Sequence, residues 1–143
     1  MMKKQEIKIS VLAIDESDDT IQFQIEVTNG INSITQEFYG YANNFKDFST
    51  GLLSFPKTIN DIVKYELGES GEHWAYYILM EVLCYDNSGK SAIHVIVDNN
   101  EKRPYTNKSE FYMTTVPASL NKLGQLLWDW NPTTENEITW TAE

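Results

Sequence analysis

Residues 72–98, EHWAYYILMEVLCYDNSGKSAIHVIVD, hold both histidines of the chain, His73 and His94, and its single cysteine, Cys84. Three chemistries deserve weighing there. A thiol and an imidazole within hydrogen-bond reach would make a nucleophile pair. A carboxylate beside an imidazole, such as Glu81 with His94, would make an acid–base pair. Thiol and imidazoles together would ligate zinc, but one Cys and two His at these spacings match no usual zinc pattern.

The elements that carry these residues decide among the three. Residues 74–85 and 91–98 flank Asp86-Asn87-Ser88-Gly89, a turn-forming cluster, and read as a hairpin. On the first strand the even residues Tyr76, Ile78, Met80, Val82 and Cys84 carry no charge, so they are the core face. On the second the apolar set is Ile93, Val95 and Val97. Both sets share a side only if paired numbers sum to an odd value, as for Val82 with Ile93. That register turns Cys84 inward and puts Glu81 and His94 together on the other face. It separates thiol from imidazole and predicts no catalytic cysteine. A local Glu81–His94 ion pair is the ordinary outcome, and a pocket using the two is the enzymatic alternative. His73 reads as surface.

The rest of the chain reads as one domain over residues 1–143. Residues 5–14 and 21–27 alternate in polarity, and pairing Ile9 with Ile25 gathers their apolar residues on one face. Asn29-Gly30 is a hairpin signal. A two-residue turn there would pair Ile25 with Ile34 and Ile21 with Phe38. Phe45, Phe48, Leu52 and Phe55 lie on one helical face, with Asn44 as cap and Pro56 as stop. Strands follow at 59–67 and 109–116. Pro117 opens a second helix with Leu120, Leu123, Leu127 and Trp130 on its core stripe. Residues 133–143 read as a loose tail or a short added strand. The predicted fold is α+β: a curved antiparallel sheet of about seven strands, ordered β-β-β-α-β-β-β-β-α, with two amphipathic helices.

The net charge is -10. It divides evenly, −5 over residues 1–71 and −5 over 72–143. Such a surface repels phosphate backbones and anionic lipids and favours a basic protein partner. KRPY at 102–105 is the only basic cluster and is too small for nucleic acid. No apolar run approaches the ~20 residues of a membrane span. The N-terminus is not a secretory signal, and a lone cysteine requires no oxidising compartment, so the expected location is cytoplasmic.

Other motifs are weaker. DESDD (15–19) resembles a calcium loop, but Thr20 stands where the sharp turn needs glycine. Phosphate loops and the usual hydrolase signatures are missing from the sequence. The carboxylates of Asp15, Glu16, Asp18 and Asp19, and of Glu66, Glu69 and Glu72, read as acidic loops that a basic partner would contact. Trp128 lies off the core stripe. It is either packed under the C-terminal tail, the more frequent fate, or an exposed anchor for a partner.

The run FKDFSTGLLSFP (45–56), then YELGE (65–69), then the long hairpin YYILMEVLCYDNSGKSAIHVIV (76–97) resembles bacterial immunity proteins of polymorphic toxin systems, the WapI-type group. The resemblance covers roughly residues 5–128. It implies a non-enzymatic inhibitor, without cofactor or metal, that binds a cognate toxin domain in the cytoplasm of the producing cell. Such proteins share architecture more than a fixed contact surface, so it assigns no residue a role. A homodimer joined through a sheet edge is a further option.

Overall fold

The computed structural model describes residues 4–71 and 73–143. Three strands, β1 (Glu6–Asp15), β2 (Thr20–Thr28) and β3 (Ser33–Gly40), precede helix α1 (Lys46–Leu53). Four more follow: β4 (Ile62–Gly68), β5 (Tyr77–Cys84), β6 (Ser91–Asp98) and β7 (Lys108–Thr115). Helix α2 (Pro117–Asp129) and strand β8 (Glu137–Thr141) end the chain. The class is α+β with two helices, as the sequence predicts. The single curved sheet is corrected: there are two antiparallel four-stranded sheets, β3-β2-β1-β8 and β4-β5-β6-β7, neither closed nor strongly curled. The α1 segment separates β3 from β4, so the two strands end up in different sheets. No described helix is long and apolar enough to cross a membrane.

The eighth strand comes from the segment read as a tail or added strand. Ile138 and Trp140 alternate, and they pair with Ile9 and Ile7 on the open side of β1. Burial of Trp140 and its indole hydrogen bond to the Ser119 carbonyl, at 2.8 Å, hold the strand down. Three apolar residues in eleven, one of them an alanine, were too weak a periodic signal to decide between strand and tail.

Register follows the apolar pattern. Ile9 pairs with Ile25, and Val82 with Ile93, as predicted. The second hairpin is shifted by two residues from the predicted pairing: Val27 faces Ile34 and Phe23 faces Phe38. The Asn29 amide donates to the Asn32 carbonyl at 3.1 Å, and the Asn29 side-chain oxygen accepts from the amides of Ile31 and Asn32, so the two-residue turn falls on Gly30-Ile31, one position later than predicted. A two-residue shift keeps every side chain on its face.

One buried cluster draws on the inner faces of both sheets and on both helices. Phe23 and Phe38 stack at 5.2 Å between ring centroids, and Phe45 bridges from Phe23 (5.7 Å) to Tyr65 (4.9 Å). The predicted stripes Phe48–Leu52 and Leu120–Leu123–Leu127 are buried in it. Asn44 does not cap α1. Its amide instead donates to the Tyr65 hydroxyl at 2.6 Å, a partner set by β4 and invisible to local sequence. The strands predicted at 59–67 and 74–85 are observed as Ile62–Gly68 and Tyr77–Cys84, because Ile59 and Trp74 lie exposed outside the ladder.

Candidate functional site

The outward-facing residues of β4 to β7 fall into cross-strand rows. Lys64, Glu81, His94 and Tyr112 form one row, and Glu66, Leu79, Ile96 and Glu110 the next. Ile62, Leu83, Ala92 and Thr114 lie beyond the first, and Tyr77, Asp98 and Lys108 beyond the second. Each position follows from strand alternation: Ile93, Val95, Phe111 and Met113 take the inner face, so their neighbours must point out.

Polar contacts knit this face together. His94 Nε2 lies 2.6 Å from Glu110 Oε2, and Nδ1 lies 3.6 Å from Glu81 Oε1. The imidazole stacks on the Tyr112 ring at 4.5 Å and 9°. One strand over, the Tyr77 hydroxyl donates to Glu66 Oε2 at 2.7 Å, and Lys64 pairs with Glu66 at 3.5 Å. The Tyr77 hydrogen bond, with smaller help from Lys64, holds the Glu66 carboxyl below its ordinary range. Burial, and then that same carboxylate, pushes the Tyr77 hydroxyl up to about 12.

The two carboxylates stand on opposite sides of the imidazole. They clasp the ring and do not converge with it on a shared point. Among the described residues no group of three or more His, Cys, Asp or Glu side chains is placed to hold a metal ion. Cys84 lies on the core side of β5, packed against the buried cluster, with its thiol 3.8 Å from the Ser91 hydroxyl. His94 is on the opposite face of the sheet. The Glu81–His94 pair lies on an open sheet surface, with the Glu81 and Glu110 side chains 32% and 54% exposed.

The face has an apolar middle. Leu79, Ala92, Leu83 and Ile96 are buried or half-buried under the polar clasp, and Ile62 at the edge is 59% exposed. The outer face of the first sheet is more polar: Lys8, Ser10, Gln22, Gln24, Glu26 and Glu37 point out there, with Tyr39 as an exposed aromatic. An apolar middle flanked by aromatic and acidic groups is therefore found on the outer face of the second sheet.

The other sequence candidates are dispersed. Asp15 accepts from the Ser17 amide (2.9 Å) and hydroxyl (2.6 Å), which hold its carboxyl below the usual range. Asp18 accepts from the Thr20 amide at 3.0 Å, so DESDD is a self-bonded turn in which Glu16 stays exposed. Asp19 lines a shallow pocket with Tyr41, Asn43 and Thr133. The Glu69 carbonyl is held by the Asn100 amide at 2.9 Å. Glu72 lies outside the described residues. His73 is exposed beside Trp74 and Lys102. Trp128 is not packed under the tail: it is 47% exposed, with the Lys46 ammonium 4.9 Å from its ring centroid. No described hydrogen bond or ion pair joins the 15–19 turn, the 66–69 segment and Trp128. Of these candidates only Glu66 belongs to the clasped face.

Sequence reasoning missed Glu110, Tyr112 and Tyr77 as neighbours of that site. The signal was present in SEFYMTTV: placing Phe111 and Met113 inward against Val95 and Ile93 sets Glu110 and Tyr112 beside His94. Comparison of the chain with family models, with curated proteins and with solved structures finds no match.

Proposed function

We propose that the chain is a non-enzymatic protein-binding module, an inhibitor of the immunity type that neutralises a basic toxin domain. The observation that carries this reading is the outer face of β4 to β7, where Leu79, Leu83, Ile96 and Ile62 lie among Glu66, Glu81, Glu110, Tyr77 and Tyr112. Protein interfaces combine this kind of apolar and aromatic centre with a polar rim. The net charge of -10 gives a basic partner long-range attraction and raises its encounter rate. The acidic turn at 15–19 adds to that field without belonging to the contact surface.

The test is co-purification with the C-terminal domain of a toxin encoded immediately upstream. A complex is expected that weakens as salt rises. Glu81→Lys with Glu110→Lys should weaken it at least tenfold, while Glu16→Lys should change mainly the association rate. Absence of a complex sinks the inhibitor reading. A complex indifferent to the paired reversal sinks this surface.

A further inference from the structure

Four strands bound the two sheets: β3 and β8 in the first, β4 and β7 in the second. An edge strand offers unpaired N–H and C=O groups to any passing chain. Three of these edges are guarded. The Asn99–Asn107 bond sets which β7 residues face β6, leaving Tyr112 and Thr114 to point outward; Asn29 and Gln5 donate to their carbonyls at 3.4 and 2.9 Å. On β3, the outward Tyr39 amide donates to the Tyr76 hydroxyl at 3.0 Å, and Gln36 donates to the Glu37 carbonyl at 2.9 Å. β4 carries Lys64 at its centre, a charge that discourages pairing.

Among the described residues, β8 has no side chain bonded to its outward backbone, and its one charge, Glu137, stands at its first residue and is paired with Lys8 at 3.4 Å. The bonds Val11 N–H to Asn136 (2.7 Å) and Ala142 N–H to Gln5 (2.9 Å) fix Ile138 and Trp140 as the residues bonded to β1. Glu137, Thr139 and Thr141 therefore aim their N–H and C=O groups away from the sheet. No described side chain bonds to them. Beside this edge runs a groove whose other wall is one face of α2, with Lys122, Gln125, Leu126 and Asp129 at i, i+3, i+4 and i+7.

We propose that β8 pairs antiparallel with β8 of a second copy of this chain, about a two-fold axis through Thr139, to give one eight-stranded sheet. The charges of the groove select this occupant. α2 and β8 run in opposite directions, so Lys122 lies beside the end of β8, where it pairs with Glu143 at 3.5 Å, and Asp129 lies beside its start. A two-fold axis that sets Thr141 opposite the partner's Glu137 also brings Lys122 toward the partner's Asp129, and Leu126 toward the partner's Leu126. The surface is self-complementary and the assembly closes. It leaves the outer face of β4 to β7 free, so it stands independently of the inhibitor reading.

Sedimentation or light scattering of the full chain, from micromolar to near-millimolar concentration, should show a species of twice the 16.5 kDa chain mass. Thr139→Pro removes an N–H that β1 does not use, and should weaken the dimer at least tenfold with the circular dichroism unchanged. Lys122→Asp should weaken it too, and adding Asp129→Lys should restore it, so the proposal remains testable if the proline variant fails to fold. A monomer at every concentration overturns the proposal. So does a dimer that neither the proline nor the charge variants weaken, or a Lys122→Asp loss that Asp129→Lys leaves uncorrected.

Discussion

His94 Nε2 approaches Glu110 to 2.6 Å, whereas Glu81, directly opposite on the neighbouring strand, stays 3.6 Å from Nδ1. The diagonal neighbour is the closer partner, because a glutamate reaches across the offset between adjacent rows. Glu110→Gln should therefore cost more stability than Glu81→Gln. Both losses should stay under about 1 kcal/mol, since the carboxylates are partly exposed and solvent screens them. Urea denaturation of the two variants gives the order. A larger loss for Glu81→Gln would contradict the observed clasp.

Tyr77 gives an alkaline prediction. Its hydroxyl is raised from the ordinary tyrosine value of 10.0 to about 12, first by burial and then by its bond to Glu66. Between those pH values the folded chain keeps a proton that the unfolded chain has released. This contribution to stability is therefore full below pH 10 and is lost as the pH rises toward 12. Glu66→Gln removes the negative charge and should lower the Tyr77 pKa. Ultraviolet titration, differenced against Tyr77→Phe, reads that ionisation directly; a Tyr77 transition unmoved by Glu66→Gln would show that the contact is not made in solution.

The residues that were legible in the sequence are those whose positions follow from polarity alone. Val82 against Ile93 was readable because two apolar sets had to share a side, and that placed Glu81 opposite His94. The second hairpin was readable only to within two residues, because Asn29 closes the turn on Gly30-Ile31, one position along, which keeps the same parity. Trp128 was not assignable, since its environment is set by Lys46, far away in sequence. The division into two sheets also lay out of reach: alternation marks which face of a strand is buried, but not which strand lies beside it. The clasp around His94 needed the β6–β7 register, which the Phe111 and Met113 alternation carried unused.

Asn121 shows how α2 finishes α1. Its side-chain amide donates to the carbonyls of Leu52 (2.8 Å) and Phe55 (3.0 Å), at the end of the first helix. Terminal helix carbonyls have no partner within the helix. Asn121→Leu keeps the bulk, takes the side-chain donor from the Phe55 carbonyl and leaves Leu52 with only the Phe55 amide at 3.3 Å, at a cost of about 1–3 kcal/mol. The loss should appear as a lower urea midpoint at unchanged slope. A midpoint equal to that of the parent would mean that water replaces the amide without penalty.

Gly124 and Gly51 should both invert the usual helix rule, for different reasons. Alanine in place of an interior helix glycine ordinarily stabilises by about 1 kcal/mol. A Cβ at 124 would meet Leu52 Cβ at 2.9 Å, the Leu53 nitrogen at 3.0 Å and the Ser49 oxygen at 3.1 Å. Two of those atoms are backbone, so the helices themselves must separate. Overpacking of that kind costs about 1–3 kcal/mol, which equals or exceeds the propensity gain, and Gly124→Ala should lower the urea midpoint. A Cβ at 51 instead meets the Val63 side chain, with Cγ1 at 2.6 Å. Gly51→Ala should therefore destabilise the parent but lose much of its penalty in a Val63→Ala background. No truncation of Leu52 beyond Cβ should relieve Gly124→Ala in the same way. A Gly124→Ala variant more stable than its parent, or a Gly51→Ala penalty untouched by Val63→Ala, would place the helices differently from the contacts described.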